Sequence, residues 1–196
     1  MAKYALDKHS EKVKKVLIFD WDVHHGDGSQ RALYDDPNVL FISLHKFNKG
    51  CFYPCKPSAN FTHIGEGDGK GFNINIPWNT LTKTKLNEQN EEETHFEIPG
   101  TEEYVHICHS FLFPIIKEFK PDLIVISAGF DSRINDPLGQ FQLYDQDFYE
   151  LTKIILDIAK EYANGRVISV LEGGYNLKGL ASASISHLQA FLSKDE

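Results

Sequence analysis

The sequence is poor in cysteine, in long apolar runs and in positive charge. Its 196 residues include three cysteines, an odd number that argues against a secreted disulfide scaffold and predicts a reducing compartment. The longest apolar runs span only a few residues, such as Leu123 to Ile126, whereas a membrane-spanning helix needs about 20. The first residues, MAKYALDKHSEKVKK, lack the apolar core of a signal peptide. We therefore expect no membrane-spanning helix and no membrane partner.

The charge balance is acidic, with 20 Lys and Arg against 28 Asp and Glu and a net charge of −8. Such a chain is a poor direct binder of nucleic acid, although it is suited to docking a basic peptide. Hydrophobic residues make up 41% and charged residues 24%, which are ordinary globular values. Composition and length therefore predict one domain with a sizeable core.

Short apolar runs alternate with amphipathic helical patterns along the chain. Nearly all-apolar runs of this kind are typical of strands buried on both faces, as in a parallel sheet. The runs are Val16 to Phe19, Val39 to Ser43, Leu123 to Ser127 and Val167 to Leu171, with a weaker candidate at Asn73 to Ile76. Helical spacing recurs within 104–119, 148–162 and 180–191. Strands that alternate with helices predict an α/β fold with a parallel sheet.

The helix boundaries carry their own signals. Pro114 lies inside the first helical pattern, where we expect a kink or a restart. The second helix is predicted to begin near Asp145 and to end at Asn164–Gly165. In contrast, residues 80–97 are polar, rich in Glu and without periodicity, so we expect a mobile, solvated surface insertion. No repeat or linker divides the rest of the chain.

Polar residues cluster at the predicted carboxyl ends of three strands, which is where open parallel sheets place their active sites. Asp20, Asp22 and His24 alternate along the end of the first strand and so face the same way. Asp131 is the last residue of the motif SAGFD at the end of the third strand. Two Asp and one His leave one coordination position open, as a catalytic zinc site requires. Tyr175, after two glycines, is placed to donate a hydrogen bond to a developing oxyanion.

Each signal is weak alone, because Asp-x-His pairs often cap turns and buried tyrosines are common in cores. Together, the motifs DWDVHHGDG, SLHKF, SAGFDSRINDPLG and LEGGYN resemble the zinc-dependent histone deacetylase family. The residues of SAGFD and LEGGYN are more similar to those of its class II and polyamine-deacetylase branches than to those of class I. The resemblance runs from Tyr4 to about Leu192, apart from the Glu-rich insertion. It implies the arginase/deacetylase α/β fold and hydrolysis of an acetylated lysine amide.

The resemblance also implies a role for individual residues. It makes Asp22, His24 and Asp131 the zinc ligands, and it makes Tyr175 the residue that polarises the acetyl carbonyl. Substrate-channel positions are Tyr53, Gly174 and Leu138.

A structural potassium ion is a further expectation from the family. Its matching ligands are Asp20, Ser43 and Leu44, together with Asp22 and His24, largely through backbone oxygens. Hard oxygen ligands suit such a cation.

One family feature has no match in the sequence. Members carry a tandem His-His pair upstream of the first metal strand, whose imidazoles supply the general base, whereas only the lone His9 lies upstream here. Asp20 and Asp27 match the carboxylates that orient those imidazoles. We therefore expect residues 1–196 to be a single partial deacetylase domain, incomplete on its N-terminal side, with weak or no activity as an isolated chain.

Two alternatives to a protein or histone deacetylase stay open at this point. One is an inactive metal-binding fragment or scaffold module, and the other is an acetylpolyamine deacetylase. The expected partners are an acetyl-lysine peptide or a histone tail, with corepressor-type proteins as further candidates. The expected location is the nucleus, the cytoplasm or both.

Overall fold

The computed structural model describes residues 1–86 and 92–193. Five strands form a parallel sheet in the spatial order β3-β2-β1-β6-β7. The strands are β1 (Val16–Asp20), β2 (Val39–Lys46), β3 (Asn73–Trp78), β4 (Leu81–Leu86), β5 (Glu92–Glu97), β6 (Leu123–Ala128) and β7 (Val167–Leu171). The α-helices are α1 (Ala2–Lys8), α2 (Asp27–Leu33), α3 (Thr101–Ile107), α4 (Phe113–Phe119), α5 (Asp145–Tyr162) and α6 (Leu177–Leu192). The predicted α/β fold with a parallel sheet is confirmed.

The central strands are fully buried because helices and loops cover both faces of the sheet. Every residue of β1, β2 and β6 is buried. Asp20, the last residue of β1, pairs in register with Ser43 on one side and Ser127 on the other. The last residues of β6 and β7, Ala128 and Leu171, are also paired, so the carboxyl ends of β1, β6 and β7 lie together at one edge of the sheet, as the sequence predicted.

The prediction for the last strand is wrong in one respect. β7 was expected to be buried on both faces, but it is the outermost strand of the described sheet, and no residue of β7 is fully buried. Ile168 and Leu171 are 37% and 60% exposed. Apolar composition indicates a strand but does not say whether that strand has a neighbour on each side.

The helix boundaries agree with their sequence signals. A π-helical stretch, Cys108–Leu112, separates α3 from α4, so the helical pattern does restart at Pro114. α5 begins at Asp145, and its end is closed by the N–H of Gly165, which donates to the Ala159 carbonyl at 2.9 Å. Gly165 has a φ of +72°, the left-handed conformation that ends many helices.

The polar segment is more ordered in its backbone than its composition predicts. An irregular segment was expected over residues 80–97, but β4 and β5 pair as an antiparallel hairpin. Alternation of Thr with Lys and Glu carries little apolar periodicity, so the strands were missed. The expected mobility of residues 80–97 stays a prediction, and residues 87–91 lie outside the described residues. Within the described ranges, no helix is both long and apolar enough to span a membrane.

His187 of α6 connects the helical layer to the edge of the sheet. Its Nδ1 lies 2.6 Å from the Thr152 hydroxyl of α5, and its Nε2 lies 2.8 Å from the Ser169 hydroxyl of β7. Its ring packs against Trp21 and Phe130, the residues next to two of the predicted zinc ligands. Burial lowers the pKa of His187 to about 4. The neutral imidazole therefore supports the strand ends that carry the site.

This network predicts a pH-dependent stability. The folded-state pKa of His187 lies below the unfolded value of about 6.5, so its contribution is complete above pH 6.5 and is lost as pH falls toward about 4. From pH 7.5 to 5.0, wild type should lose about 2 kcal/mol more unfolding free energy than His187→Gln. Urea denaturation of both proteins at both pH values measures the difference. Equal losses in the two proteins would show that His187 is not responsible.

Candidate metal centre

Three predicted ligands converge just beyond the ends of β1 and β6. One ligand atom from each of Asp22, His24 and Asp131 lies within 4.8 Å of the others. His24 Nδ1 is 3.0 Å from Asp22 Oδ1 and 3.0 Å from Asp131 Oδ2. Asp22 and Asp131 are buried and His24 is half-buried. The structure thus brings together residues separated by more than a hundred positions, as the sequence predicted, and metal binding itself stays a prediction.

Backbone N–H groups hold the two carboxylates in place. Asp22 Oδ1 accepts from the His24 N–H at 2.8 Å, and Asp22 Oδ2 accepts from the Gly173 N–H at 2.8 Å. Asp131 Oδ1 accepts from the Val23 N–H at 2.8 Å. Backbone N–H groups thus hold both oxygens of Asp22 and one oxygen of Asp131, and Asp131 Oδ2 is left facing the His24 imidazole.

Glycine is required beside the carboxylates because the backbone approaches them closely. A Cβ at Gly173 would overlap both Asp131 Oδ2 and Asp22 Oδ2, and a Cβ at Gly129 would overlap Asp22. Any larger residue at either position would displace a carboxylate. The glycines of SAGFD and LEGGYN thus leave room for the carboxylates of Asp22 and Asp131 as well as forming the turns.

The charge distribution fits a divalent cation. Burial lowers the pKa of His24, but the hydrogen bonds to Asp131 and Asp22 outweigh it and raise that pKa to about 9. Burial, with repulsion from Asp22, raises the pKa of Asp131 to about 6. Asp131 Oδ2 is buried and accepts from no backbone N–H of the described residues, so its charge is balanced by the His24 imidazole 3.0 Å away. Two oxygens and one imidazole nitrogen are a suitable donor set for Zn²⁺.

Tyr175 faces the same group from the turn after β7. Its ring lies 6.1 Å from the His24 ring, nearly perpendicular to it, and its side chain is 50% exposed. Burial and the negative charges of Asp131 and Asp22 raise the pKa of Tyr175, so the phenol stays protonated at neutral pH. Gly174, with a φ of +135°, permits the turn that presents this hydroxyl.

Aromatic side chains form a wall beside His24. The Tyr53 ring is perpendicular to His24 at 5.7 Å and 70% exposed, as expected at a channel mouth. Phe52, which the sequence reasoning did not single out, stacks flat on His24 at 5.3 Å. The Lys46 ammonium lies 4.8 Å over the Phe52 ring and is buried. Sequence periodicity gives no signal for Phe52 or Lys46, because their positions beside His24 depend on how a loop folds and not on a strand or helix pattern.

The remaining predicted residues differ in burial and in their partners. Asp20, Ser43 and Leu44 are buried, and Asp20 Oδ1 accepts from the Asp22 N–H at 3.1 Å. The potassium site stays a prediction. Asp27 forms an ion pair with Lys56, a partner that sequence reasoning missed. Leu138 is 48% exposed.

A cavity of about 420 Å³ adjoins the triad. Acidic side chains dominate its lining, and one of them, Glu172, was not predicted. The lining side chains with charge or a ring are Asp20, Asp22, His24, His25, Asp27, Tyr53, Glu172 and Tyr175. Such a cavity favours a cationic group beside the triad.

The sequence as a whole matches known deacetylases. The family profile described as "Histone deacetylase domain" matches residues 1–191. Histone deacetylase 18 of Arabidopsis thaliana is 40% identical over 92% of this chain and 24% of its own length. Polyamine deacetylase HDAC10 of Homo sapiens is 38% identical over 97% of this chain and 25% of its own.

The fold matches as well. The solved structure of the histone deacetylase Clr3 superposes with a TM-score of 0.85 at 36% identity. It covers 97% of this chain and 29% of the Clr3 chain. The present chain thus spans about a quarter of the length of these curated relatives. The matched profile, the sheet order and the strand-end motifs agree, and the chain belongs to the histone deacetylase family.

Proposed function

We propose that the protein is a zinc-dependent amidohydrolase that removes acetyl groups from lysine side chains of a peptide or histone tail. The observation that carries this proposal is the convergence of Asp22, His24 and Asp131 on one point, with the Tyr175 ring beside them. Family membership supports the hydrolase class. The acidic cavity supports a lysine-rich partner, because its charge is opposite to that of a basic tail.

The chain's own residues supply binding and charge stabilisation. Zinc held by the triad would polarise the acetyl carbonyl and lower the pKa of a bound water. Tyr175, protonated at neutral pH, would donate its phenol hydrogen to the oxygen that becomes negative in the transition state. The rings of Phe52 and Tyr53 would pack along the aliphatic part of the lysine side chain. These aromatic faces also exclude water from the reacting amide.

Metal binding is the first test of the proposal. Asp131→Asn removes a ligand charge and should weaken zinc binding more than about a hundredfold, since even outer partners of ligands contribute 10–100-fold. Titration against a chromophoric chelator measures the affinity. Asp157→Asn, an exposed change of equal charge on α5, is the matched control and should bind as wild type does. Equal affinities for wild type and Asp131→Asn would place the metal elsewhere.

Turnover is the second test. Among the residues that the structure describes, His24 and His25 are the imidazoles that line the cavity. His24 is a proposed ligand, and His25 is buried with its Nε2 2.9 Å from Gln30 Oε1; neither corresponds to the tandem His pair that supplies the base in the family. We expect zinc-dependent deacetylation to be slower than in the Clr3 domain by about 10²–10⁴-fold, the usual contribution of such a base.

The assay is release of acetate from an acetyl-lysine peptide by this chain with zinc. Asp131→Asn should abolish the weak activity. A rate equal to that of the Clr3 domain would contradict the missing base. Complete absence of zinc-dependent product, with zinc bound, would favour the second candidate function, a metal-binding scaffold module.

Substrate choice is the third test, because one relative is a polyamine deacetylase. The sequence resemblance matches Leu138 to the position of the acidic gatekeeper of such enzymes, and its side chain is 48% exposed. An apolar group there offers no partner to a distal ammonium, a moderate loss at a wet rim. We predict that the acetyl-lysine peptide is preferred to an acetylated polyamine.

Rates on both substrates, for wild type and Leu138→Glu, give the comparison. The Glu variant should shift the ratio of rates toward the polyamine by about tenfold, the effect of roughly 1.4 kcal/mol of new pairing. Leu138→Gln, equal in size but uncharged, is the control. A wild-type preference for the polyamine, or no shift in the Glu variant, would refute the gatekeeper role.

A further inference from the structure

Asp136 is a buried carboxylate that the metal site does not use. It lies in the loop after Asp131 and is 5% exposed. Within the described residues it has no lysine or arginine partner among its ion pairs or hydrogen bonds. Its oxygens instead accept from four backbone N–H groups, an arrangement that fully employs a carboxylate.

The four donors come from two separate loops, one loop to each oxygen. Oδ1 accepts from the N–H groups of Leu138 and Gly139 at 2.9 and 3.0 Å. Oδ2 accepts from the N–H groups of Tyr175 and Asn176 at 2.8 and 3.3 Å. Asp136 therefore joins the loop that follows one proposed zinc ligand to the turn that carries Tyr175.

Both loops are packed tightly against the site, so the hydrogen bonds of Asp136 leave little freedom for one loop to move relative to the other. A Cβ at Gly139 would overlap the Asp131 carbonyl, which fixes the first loop against that ligand. The Asn176 side chain donates to the Asn135 carbonyl at 3.0 Å and also caps α6. Tyr175 itself is 50% exposed, and its side-chain surroundings alone would hold it loosely.

We propose that Asp136 is the positioning residue for Tyr175, fixing the phenol relative to Asp131 and to the Leu138 rim. This inference rests on the proposed function of Tyr175 as oxyanion donor. A donor contributes to the transition state only when its distance and direction are fixed in advance. The Asp136 side chain holds the backbone of both Tyr175 and Leu138. It therefore couples the position of the substrate at Leu138 to the polarisation of the acetyl carbonyl by Tyr175.

The test uses the zinc-loaded chain labelled with 3-fluorotyrosine, whose Tyr175 resonance is identified by its loss in Tyr175→Phe. Asp136→Asn keeps the size of the side chain but points an amide donor at one pair of N–H groups. We expect the Tyr175 resonance to move toward that of free fluorotyrosine and the amides of Tyr175 and Asn176 to exchange at least tenfold faster. Asp145→Asn, which removes a carboxylate bound to Arg133 at the start of α5, is the matched control and should leave both unchanged.

Turnover on the acetyl-lysine peptide adds a functional readout. Asp136→Asn should lower kcat by at least tenfold and leave KM within twofold, because the loss concerns the transition state. An unchanged Tyr175 resonance, or an equal change in Asp145→Asn, would overturn the proposal. A KM effect without a kcat effect would also overturn it.

Amide exchange of the wild type decides the matter if Asp136→Asn does not fold. One shared opening free energy for the amides of Leu138, Gly139, Tyr175 and Asn176 supports the proposal, and independent opening of the two loops overturns it. These measurements need no substrate. If the two loops open together but the chain has no deacetylase activity, the positioning role of Asp136 stands and only the proposed function is rejected.

Discussion

The close approach of two buried carboxylates is the constraint on which the site depends. Asp22 and Asp131 lie in the loops that follow two different strands, yet both are within hydrogen-bonding distance of one imidazole nitrogen. Two like charges at this separation repel strongly when water is excluded. Protonation of His24 balances part of that repulsion, in line with its raised pKa. A divalent cation would relieve it more completely, since its charge is larger than that of one imidazolium and it would contact the buried Asp131 Oδ2 directly.

The surrounding fold serves to hold these charges together. A parallel sheet aligns β1 and β6 so that their carboxyl ends meet. Glycines at the next turns leave room for the carboxylates, and backbone N–H groups fix each one. The His187 ring packs against Trp21 and Phe130, which are adjacent in sequence to two of the proposed zinc ligands. Repulsion at the site is thus compensated by burial and hydrogen bonding in the elements around it, a pattern common to functional sites.

Much of this arrangement could be predicted from the sequence because the relevant signals are local. Apolar runs indicate the strands, and the polar residues that end those runs indicate the edge where the site lies. Strand ends indicate Asp20, Asp22, His24 and Asp131 as candidates, and the family resemblance selects Asp22, His24 and Asp131 among them. The exposure of β7 could not be predicted, because it depends on the presence of a neighbouring strand. The contacts of Phe52, Lys46 and Asp136 join distant loops, and composition and periodicity carry no signal for such contacts.

Anomalous diffraction from crystals soaked in zinc, recorded at the zinc absorption edge, tests the central claim most directly. The account predicts a single strong peak bounded by Asp22 Oδ, His24 Nδ1 and Asp131 Oδ2, with the Tyr175 hydroxyl directed toward its open side. A strong peak elsewhere, with none between these three side chains, would contradict it.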